Sequence, residues 1–466
     1  MDVVIFGEKW GNFLQGKREK SLRVVPRRPP MVYLRSTEQL RIYQGGGQMN
    51  YSRMARKLRD RIARFSGELS EGLPKVGERF VREMVYGIQA SQSVVLTKIG
   101  RMLEEAVSIK KVEERLSRQL LRRGLGEKVQ ENLLAMASEH VWEDTLLILD
   151  LSDIRKKYAK KMQYLATVHD GSEGELGNGY WTCNVIAAEV GDNRIVPLVG
   201  RLYSAEAPEF VSENSEILSV VDNVAGSTDK RGIWVIDRGG DRRNLIVPML
   251  NDQHRFLIRL IGNRNLLWAG QEMLASEIAK DCPLLYTETI VKVDDGKEKV
   301  YRLNFGYRKV KFPGREETMG LLVVQGFGQK PMMLLTTEPL RKNRKVLWRL
   351  VRAYMRRWAI EETIRYIKQS YELEDVRVLN YRSLQNIMPL VYAVAYFAAV
   401  LLDTASKLRV MAGYVLKAAK RVFGIPEFHY YCIADGLTSI FMRHPGQIVR
   451  LHPKDISQTI LFPSSA

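Results

Sequence analysis

Leu146-Leu147-Ile148-Leu149-Asp150 and Ile233-Trp234-Val235-Ile236-Asp237 are the two stretches on which the fold turns. Each is a short apolar run closed by an aspartate, and each reads as a strand. The C-terminal edge of an α/β sheet is where such folds bind ligands, so a carboxylate there is a candidate site residue. Taken singly, either aspartate is as well explained as a helix cap or a turn residue. Asp153 and Asp241 are close competitors, and Asp241 is placed to cap a helix that begins near Arg242.

Outward from these runs the pattern is regular. Tyr180 to Val190 and Arg194 to Tyr203 read as strands joined by Gly191-Asp192-Asn193. Pro208 to Val224 reads as a helix, a short helix follows Asp237, and Arg255 to Leu260 is another strand. The order is three strands, helix, strand, helix, strand, which predicts an α/β core. Leu285 to Leu335 alternates in short strand-like pieces with turns at Asp294-Asp295-Gly296 and Pro313-Gly314, predicting a small inserted β domain. A long helix is expected from Leu347 to about Tyr371, and an apolar helical region from Leu384 to Arg421. Leu451 to Ala466 carries no strong signal and reads as a loose tail.

Upstream, Tyr51 to His140 is helical by period, with Phe80, Met84, Val85, Ile88 and Val95, Ile99, Met102, Leu103 recurring at three and four. Ala90 to Leu103 matches a helix-turn-helix weakly, and an ordinary amphipathic bundle fits at least as well. Residues 1 to 48 form a basic arm without a period. The run Gln44-Gly45-Gly46-Gly47-Gln48 before Met49 reads either as a translated ribosome-binding site, which puts the natural start at Met49, or as part of a real arm.

The chain has 466 residues and 45% hydrophobic composition, enough for several domains with buried cores. Its formal net charge of +19 points to a polyanionic partner, nucleic acid or an anionic membrane surface. The longest apolar stretch, Ile387 to Leu402, contains Pro389 and is shorter than a membrane span, so a buried helix is expected and no membrane. Cys183, Cys282 and Cys432 are scattered, which argues against zinc ribbons and disulfides and fits a reducing cytoplasm. No Walker motif is present, Asp237-Arg238-Gly239-Gly240 lacks the spacing of a dinucleotide loop, and the six histidines show no metal-ligand spacing.

The long helix carries the densest chemistry. With Tyr354 at zero and about 100° per residue, Arg357 falls near 300°, Glu361 near 340°, Arg365 near 20° and Lys368 near 320°. Ala359, Ile360, Thr363 and Ile367 fall between about 140° and 240°, the opposite side. One carboxylate among three cations and a phenol suits a phosphodiester: the cations neutralise phosphate oxygens, the phenol donates a hydrogen bond and the carboxylate binds a metal. The plain alternative is a solvated face with an ion pair from Glu361 to Arg365. Upstream, Arg341-Lys342-Asn343-Arg344-Lys345 reads as a phosphate contact or as a solvated linker. Two-metal phosphoryl transfer needs about three convergent carboxylates, and Asp150, Asp237 and Glu361 supply that number.

Tyr354, Arg357, Glu361 and Lys368 stand at the Y-x-x-R-x-x-x-E-x-x-x-x-x-x-K spacing, and in this the chain resembles the insertion-sequence-four family of bacterial cut-and-paste transposases. Asp237, in Ile236-Asp237-Arg238-Gly239-Gly240-Asp241, looks like the second catalytic aspartate of that family. Asp150, in Leu149-Asp150-Leu151-Ser152, looks like the first, with Asp153 as a substitute. The resemblance covers about Leu146 to Tyr371.

It implies an α/β, ribonuclease H-like catalytic core with an inserted β domain and a helical N-terminal DNA-binding region. The corresponding division is a basic arm over 1–48, the DNA-binding helices over 49–144, the core over 145–261, the inserted domain over 262–340, the catalytic helix over 341–380 and a C-terminal helical region over 381–466. Asp150, Asp237 and Glu361 are then the catalytic metal ligands, for magnesium with manganese as a substitute. Tyr354, Arg357, Arg365 and Lys368 bind DNA phosphate, by analogy at the transposon end, and Trp358 borders the site or belongs to the core. Leu334-Leu335-Thr336-Thr337-Glu338-Pro339 resembles the end of the insertion. Aligning on Thr337-Glu338-Pro339 puts Met332 where relatives carry a tryptophan that stacks on a flipped base, and methionine stacks less well.

The implied partners are double-stranded DNA, as terminal inverted repeats and target, and a second copy of the chain in a homodimeric synaptic complex. The implied location is the bacterial cytoplasm, on the nucleoid. A ribonuclease H-like nuclease or resolvase without a transposon, and a non-catalytic DNA-binding regulator, are the alternatives. An RNA-binding protein ranks lower, since no Gly-Phe-rich recognition signature is present.

Overall fold

The computed structural model describes residues 22–23, 50–169, 174–294, 297–402, 406–407, 410 and 430–449. The arm expected over 1–48 lies outside them apart from Leu22 and Arg23. So do the tail from Leu451, most of 403–421, and the turn residues Asp170, Asp295 and Gly296.

The fold is mixed α/β, with a large mixed sheet and many helices. Helices α1 (Tyr51–Leu69), α2 (Lys75–Ser91), α3 (Leu96–Met102), α4 (Ile109–Leu120) and α5 (Leu125–Ser138) come first. In α1 the buried Ala55, Leu58, Ile62, Phe65 and Leu69 recur at three and four, and Asn50 caps the helix by accepting from the Arg53 amide at 2.9 Å. The segment weighed as a helix-turn-helix is the end of α2, a turn and the short α3. Leu96 and Ile99 of α3 are buried, and its exposed Lys98 is paired with Glu372 at 2.6 Å.

The sheet follows: β1 (Leu146–Arg155), β2 (Ala166–His169), β3 (Leu176–Ala188), β4 (Ile195–Tyr203), α6 (Glu213–Ser227), β5 (Ile233–Ile236), α7 (Arg243–Asn251) and β6 (Phe256–Arg259). His169 ends β2. Strands β4, β3 and β1 are antiparallel neighbours, and β1, β5 and β6 lie side by side in parallel. Helix α6 crosses from β4 to β5, and α7 from β5 to β6. Four-residue strands such as β5, apolar throughout and wholly buried, are what a central parallel strand requires.

Beyond β6 come β7 (Asn265–Trp268), β8 (Gln271–Leu274), α8 (Ala275–Lys280), β9 (Tyr286–Asp294), β10 (Lys297–Lys311), β11 (Thr318–Gln325) and β12 (Met332–Thr336). These strands are not a detached layer. Strand β12 pairs antiparallel with β6, Leu335 opposite Ile258, so the insertion continues the core sheet edge to edge. Its exit is stitched down: Thr336 Oγ1 donates to the Phe256 carbonyl at 2.6 Å, and Glu338 takes Arg255 on both oxygens at 2.8 and 2.9 Å.

Last come α9 (Arg344–Arg356), α10 (Trp358–Ser370), α11 (Tyr381–Tyr396) and α12 (Tyr430–Arg443). A π-helical turn, Phe397–Leu401, extends α11. The combined helix has 21 residues, long and apolar enough by length and composition to cross a membrane, against the shorter span expected from Ile387 to Leu402. Inside this fold most of it is buried, and it packs on β4, α2 and α5. Gly200 of β4 touches it so closely that a Cβ there would stand 2.0 Å from the Tyr392 ring. Buried Asn386 ties the turn between α4 and α5 to it, donating to the carbonyls of Leu120 and Arg122 and accepting from the Gly126 amide.

Candidate active site

Register brings the two aspartates together. Leu146 through Leu149 of β1 pair in parallel with Ile233 through Ile236 of β5, so the next residues, Asp150 and Asp237, stand level on adjacent strands, about 4.8 Å apart in main chain. The same register on β6, Ile236 opposite Ile258, puts Arg259 level with Asp237. Arg259 was not singled out from the sequence. The available signal was an arginine closing an apolar strand at the position where the other two close with aspartate.

Strand β1 does not end at Asp150, as the sequence suggested, but runs on to Arg155. Its antiparallel partner β3 continues to pair as far as Gly179, while the parallel partner β5 stops. Asp150 therefore lies where one neighbour is lost and room opens beside the strand. Buried Asn184 of β3 braces it, donating from Nδ2 to the Asp150 carbonyl at 3.3 Å and accepting from Tyr392 Oη of α11 at 2.7 Å. Asp237 Oδ1 accepts from the Gly239 amide at 2.6 Å and so caps the turn that follows β5.

Glu361 arrives on α10. The single long helix expected here is pinched at Arg357, where three-residue hydrogen bonds replace four-residue ones: Arg357 amide to Tyr354 carbonyl and Ile360 amide to Arg357 carbonyl, both 3.1 Å. The rest of the helical reading stands, since Ala359, Ile360, Thr363 and Ile367 are all buried. Tyr354 and Arg357 are each 6% exposed. The Arg357 guanidinium donates to Glu361 Oε1 at 2.6 Å and faces Asp150 Oδ2 at 3.4 Å. It also lies 5.6 Å from the Trp358 ring and 6.0 Å from the Tyr354 ring.

Arg357 thus joins the first aspartate to the glutamate. Burial pushes the Asp150 carboxyl well above its ordinary range, and the charge of Asp237 pushes it further, against the pull of Arg357. Burial likewise raises Glu361, with Arg357 opposing and Asp237 adding to the rise. Burial also raises the Tyr354 phenol, with Arg357 and Arg259 opposing. For Arg357, burial works against the charge, but Glu361 and Asp150 hold it firmly protonated. Its Nε is buried without a hydrogen-bond partner.

The remaining candidates divide. Lys368 reaches Asp153, three residues along β1 from Asp150, at 3.3 Å and Glu374 at 3.2 Å. Arg365 is half exposed and pairs with Glu362 at 2.6 Å, and Glu361 pairs with Arg357, so the Glu361–Arg365 pair of the solvated-face alternative does not form. Trp358 is 42% exposed, on the rim rather than in the core. Met332 is 6% exposed at the start of β12 and packs into the interior, with little surface left to meet a base. Asp241 caps no helix. It accepts from the Ile261 amide at 2.8 Å and pairs with Arg264 at 2.7 Å, fastening the turn after β5 to the chain leaving β6.

One further group escaped the sequence because its members are split between α6 and the turn that follows α7. Ligand atoms of Asp222, Asp252 and His254 all lie within 4.8 Å of one another, at the opposite edge of the sheet. Among the described residues no such tight group forms from Asp150, Asp237 and Glu361, which spread around the Arg357 guanidinium.

No family model and no curated protein matches the chain. Among solved structures it is similar to a cryo-EM structure of the piggyBac transposase synaptic complex with hairpin DNA, at a TM-score of 0.39 and 10% sequence identity, over 88% of this chain and 84% of that one.

Proposed function

We propose that the chain is a transposase of the Asp-Asp-Glu class, akin to the insertion-sequence-four family, that cleaves and rejoins DNA at terminal inverted repeats. The observation that carries this reading is the level pair Asp150 and Asp237 on adjacent parallel strands, joined through Arg357 to Glu361. The order of three antiparallel strands, helix, parallel strand, helix, parallel strand supports a ribonuclease H-like core.

The donor set suits magnesium or manganese. All three side chains offer hard carboxylate oxygens. Burial and Asp237 raise Asp150 and Glu361 against the pull of Arg357, and a divalent cation among the three carboxylates would relieve that repulsion. Asp150, Asp237 and Glu361 would hold the ions, which supply activation of the attacking oxygen and charge stabilisation of the leaving one. Arg357 holds Glu361 and Asp150 in a fixed relation until substrate arrives. Tyr354, Arg357 and Lys368, with Arg259 from β6, form a cationic and phenolic surround for the phosphate, and Trp358 borders it. The DNA is bound by basic helices of the N-terminal region, and two copies of the chain pair two ends.

The test is incubation of purified protein with magnesium and a labelled duplex carrying the terminal repeat that flanks its gene, beside a scrambled duplex. Repeat-dependent nicking or hairpin formation, abolished in Glu361→Gln with end binding kept, is the expected result. Wild-type cleavage by Glu361→Gln would remove that residue from the site. Equal cutting of both duplexes would favour a nuclease, and tight binding without cutting an inactive regulator.

A further inference from the structure

We infer that the loop leaving β1, residues 156–165, is a second DNA contact, in which Lys157, Lys160 and Lys161 hold phosphates and Tyr158 stacks on a base splayed from the duplex. The inference rests on the DNA-cleaving reading above and extends it along the strand that carries Asp150.

The loop is pinned at both ends. Buried Lys156 donates from Nζ to the carbonyls of Glu374 at 2.6 Å and Val376 at 2.5 Å. On the far side the Gln163 amide donates to the Leu379 carbonyl at 2.9 Å, and its carbonyl accepts from Tyr180 Oη at 2.7 Å. Met162 is buried, and Ser204 Oγ donates to the Tyr164 carbonyl at 2.6 Å. Between these anchors Lys157, Tyr158, Lys160 and Lys161 all face solvent.

Tyr158, 87% exposed, is the most exposed large apolar side chain among the described residues. Among the described residues none of the three lysines has an ion-pair partner, whereas Arg155 just before them pairs with Glu175. Lysines alone would make an ordinary solvated tip. A bare aromatic ring held among three unpaired cations on an anchored turn matches a partner that offers flat rings and repeated negative charge together, which is nucleic acid.

The position fits the same DNA. A strand rises about 3.3 Å per residue, so from Asp150 to Arg155 β1 covers roughly 17 Å. A nucleic acid strand advances about 3.4 Å per nucleotide, so the loop lies roughly five nucleotides from a phosphate held at Asp150. Lys368, bound to Asp153, stands between the two along β1. One DNA strand therefore passes from the carboxylates over Lys368 to the loop.

The experiment uses the full chain and the terminal-repeat duplex in calcium, which permits binding without cleavage. 2-Aminopurine is placed at each of about ten positions on either side of the cut phosphate. Quenching centred about five nucleotides from the cut is expected. It should be lost in Tyr158→Ala, with binding about 10-fold weaker, and kept in Tyr158→Trp. Lys157→Gln, Lys160→Gln and Lys161→Gln together should lower the slope of log affinity against log salt by about 2.7. Thermal melts would show that these surface variants stay folded. If the unaltered chain binds the duplex and every variant keeps its affinity, salt slope and quenching pattern, the loop contact is wrong. If the unaltered chain binds no duplex, the DNA reading itself falls and the loop contact with it.

Discussion

Burial, with Asp237 adding to it, raises the Asp150 and Glu361 carboxyls above their ordinary range, and Arg357 opposes the rise. A carboxyl whose value is raised on folding binds its proton more tightly in the folded chain. Stability therefore falls as pH rises from the unfolded value through the folded one, and stays lowered above it. Asp150→Asn removes one charge from that repulsion. In metal-free buffer at neutral pH it should raise the melting temperature by roughly 1 °C, the shift expected of about 1 kcal/mol in a chain of this size. The gain should vanish below about pH 3, under the ordinary aspartate value, where the carboxyl is protonated in both states. A melting series across pH checks this, and a destabilised Asp150→Asn at neutral pH would mean that Arg357 depends on that charge more than the site suffers from it. The residues of the site were largely legible: Asp237 and Glu361 stood out by strand end and helix stripe. Arg259 did not, because its place depends on the register between β5 and β6, which one sequence does not reveal. The partner of Arg365 was not legible, because two glutamates, Glu361 and Glu362, lie within reach and only the packing of Arg357 decides between them.

At the scale of elements, the buried strands were the most legible. Ile233–Ile236 appears with the bounds its apolar run suggested, because a strand covered on both faces must be apolar throughout. The second half of β1, Leu151 to Arg155, mixes polar and apolar residues and is strand only because β3 pairs with it. The pinch at Arg357 has no proline or glycine to announce it. The hairpin of β7 and β8, with α8 after it, falls in a stretch too short and too mixed to show a period. The contact between β4 and α11 offers a clean test of packing. Gly200→Ala puts a methyl into the Tyr392 ring and should destabilise the chain by about 1–3 kcal/mol or more, measured by denaturant unfolding. Tyr392→Leu in the same chain should recover part of that loss, although it also releases Asn184 behind Asp150.

For the whole molecule, the net charge of +19 makes the proposed DNA contact testable by salt. If some 6–10 phosphates are neutralised on binding, affinity for the terminal repeat should fall by about 10³–10⁵ between 50 and 200 mM salt. A titration over that range checks it, and a flat response would mean that the excess cations face elsewhere. The pairing of β12 with β6 matters on the same scale. The chain leaves the core after β6 and returns through β12, yet those two strands are hydrogen-bonded to each other. Thr336 and Glu338 rivet the joint at its other end. In mechanical language the insertion is a cantilever built into its wall. A load placed on its outer strands is passed along a ladder of backbone bonds toward the edge that bears Asp237, and that joint has no axle on which the insertion could swing.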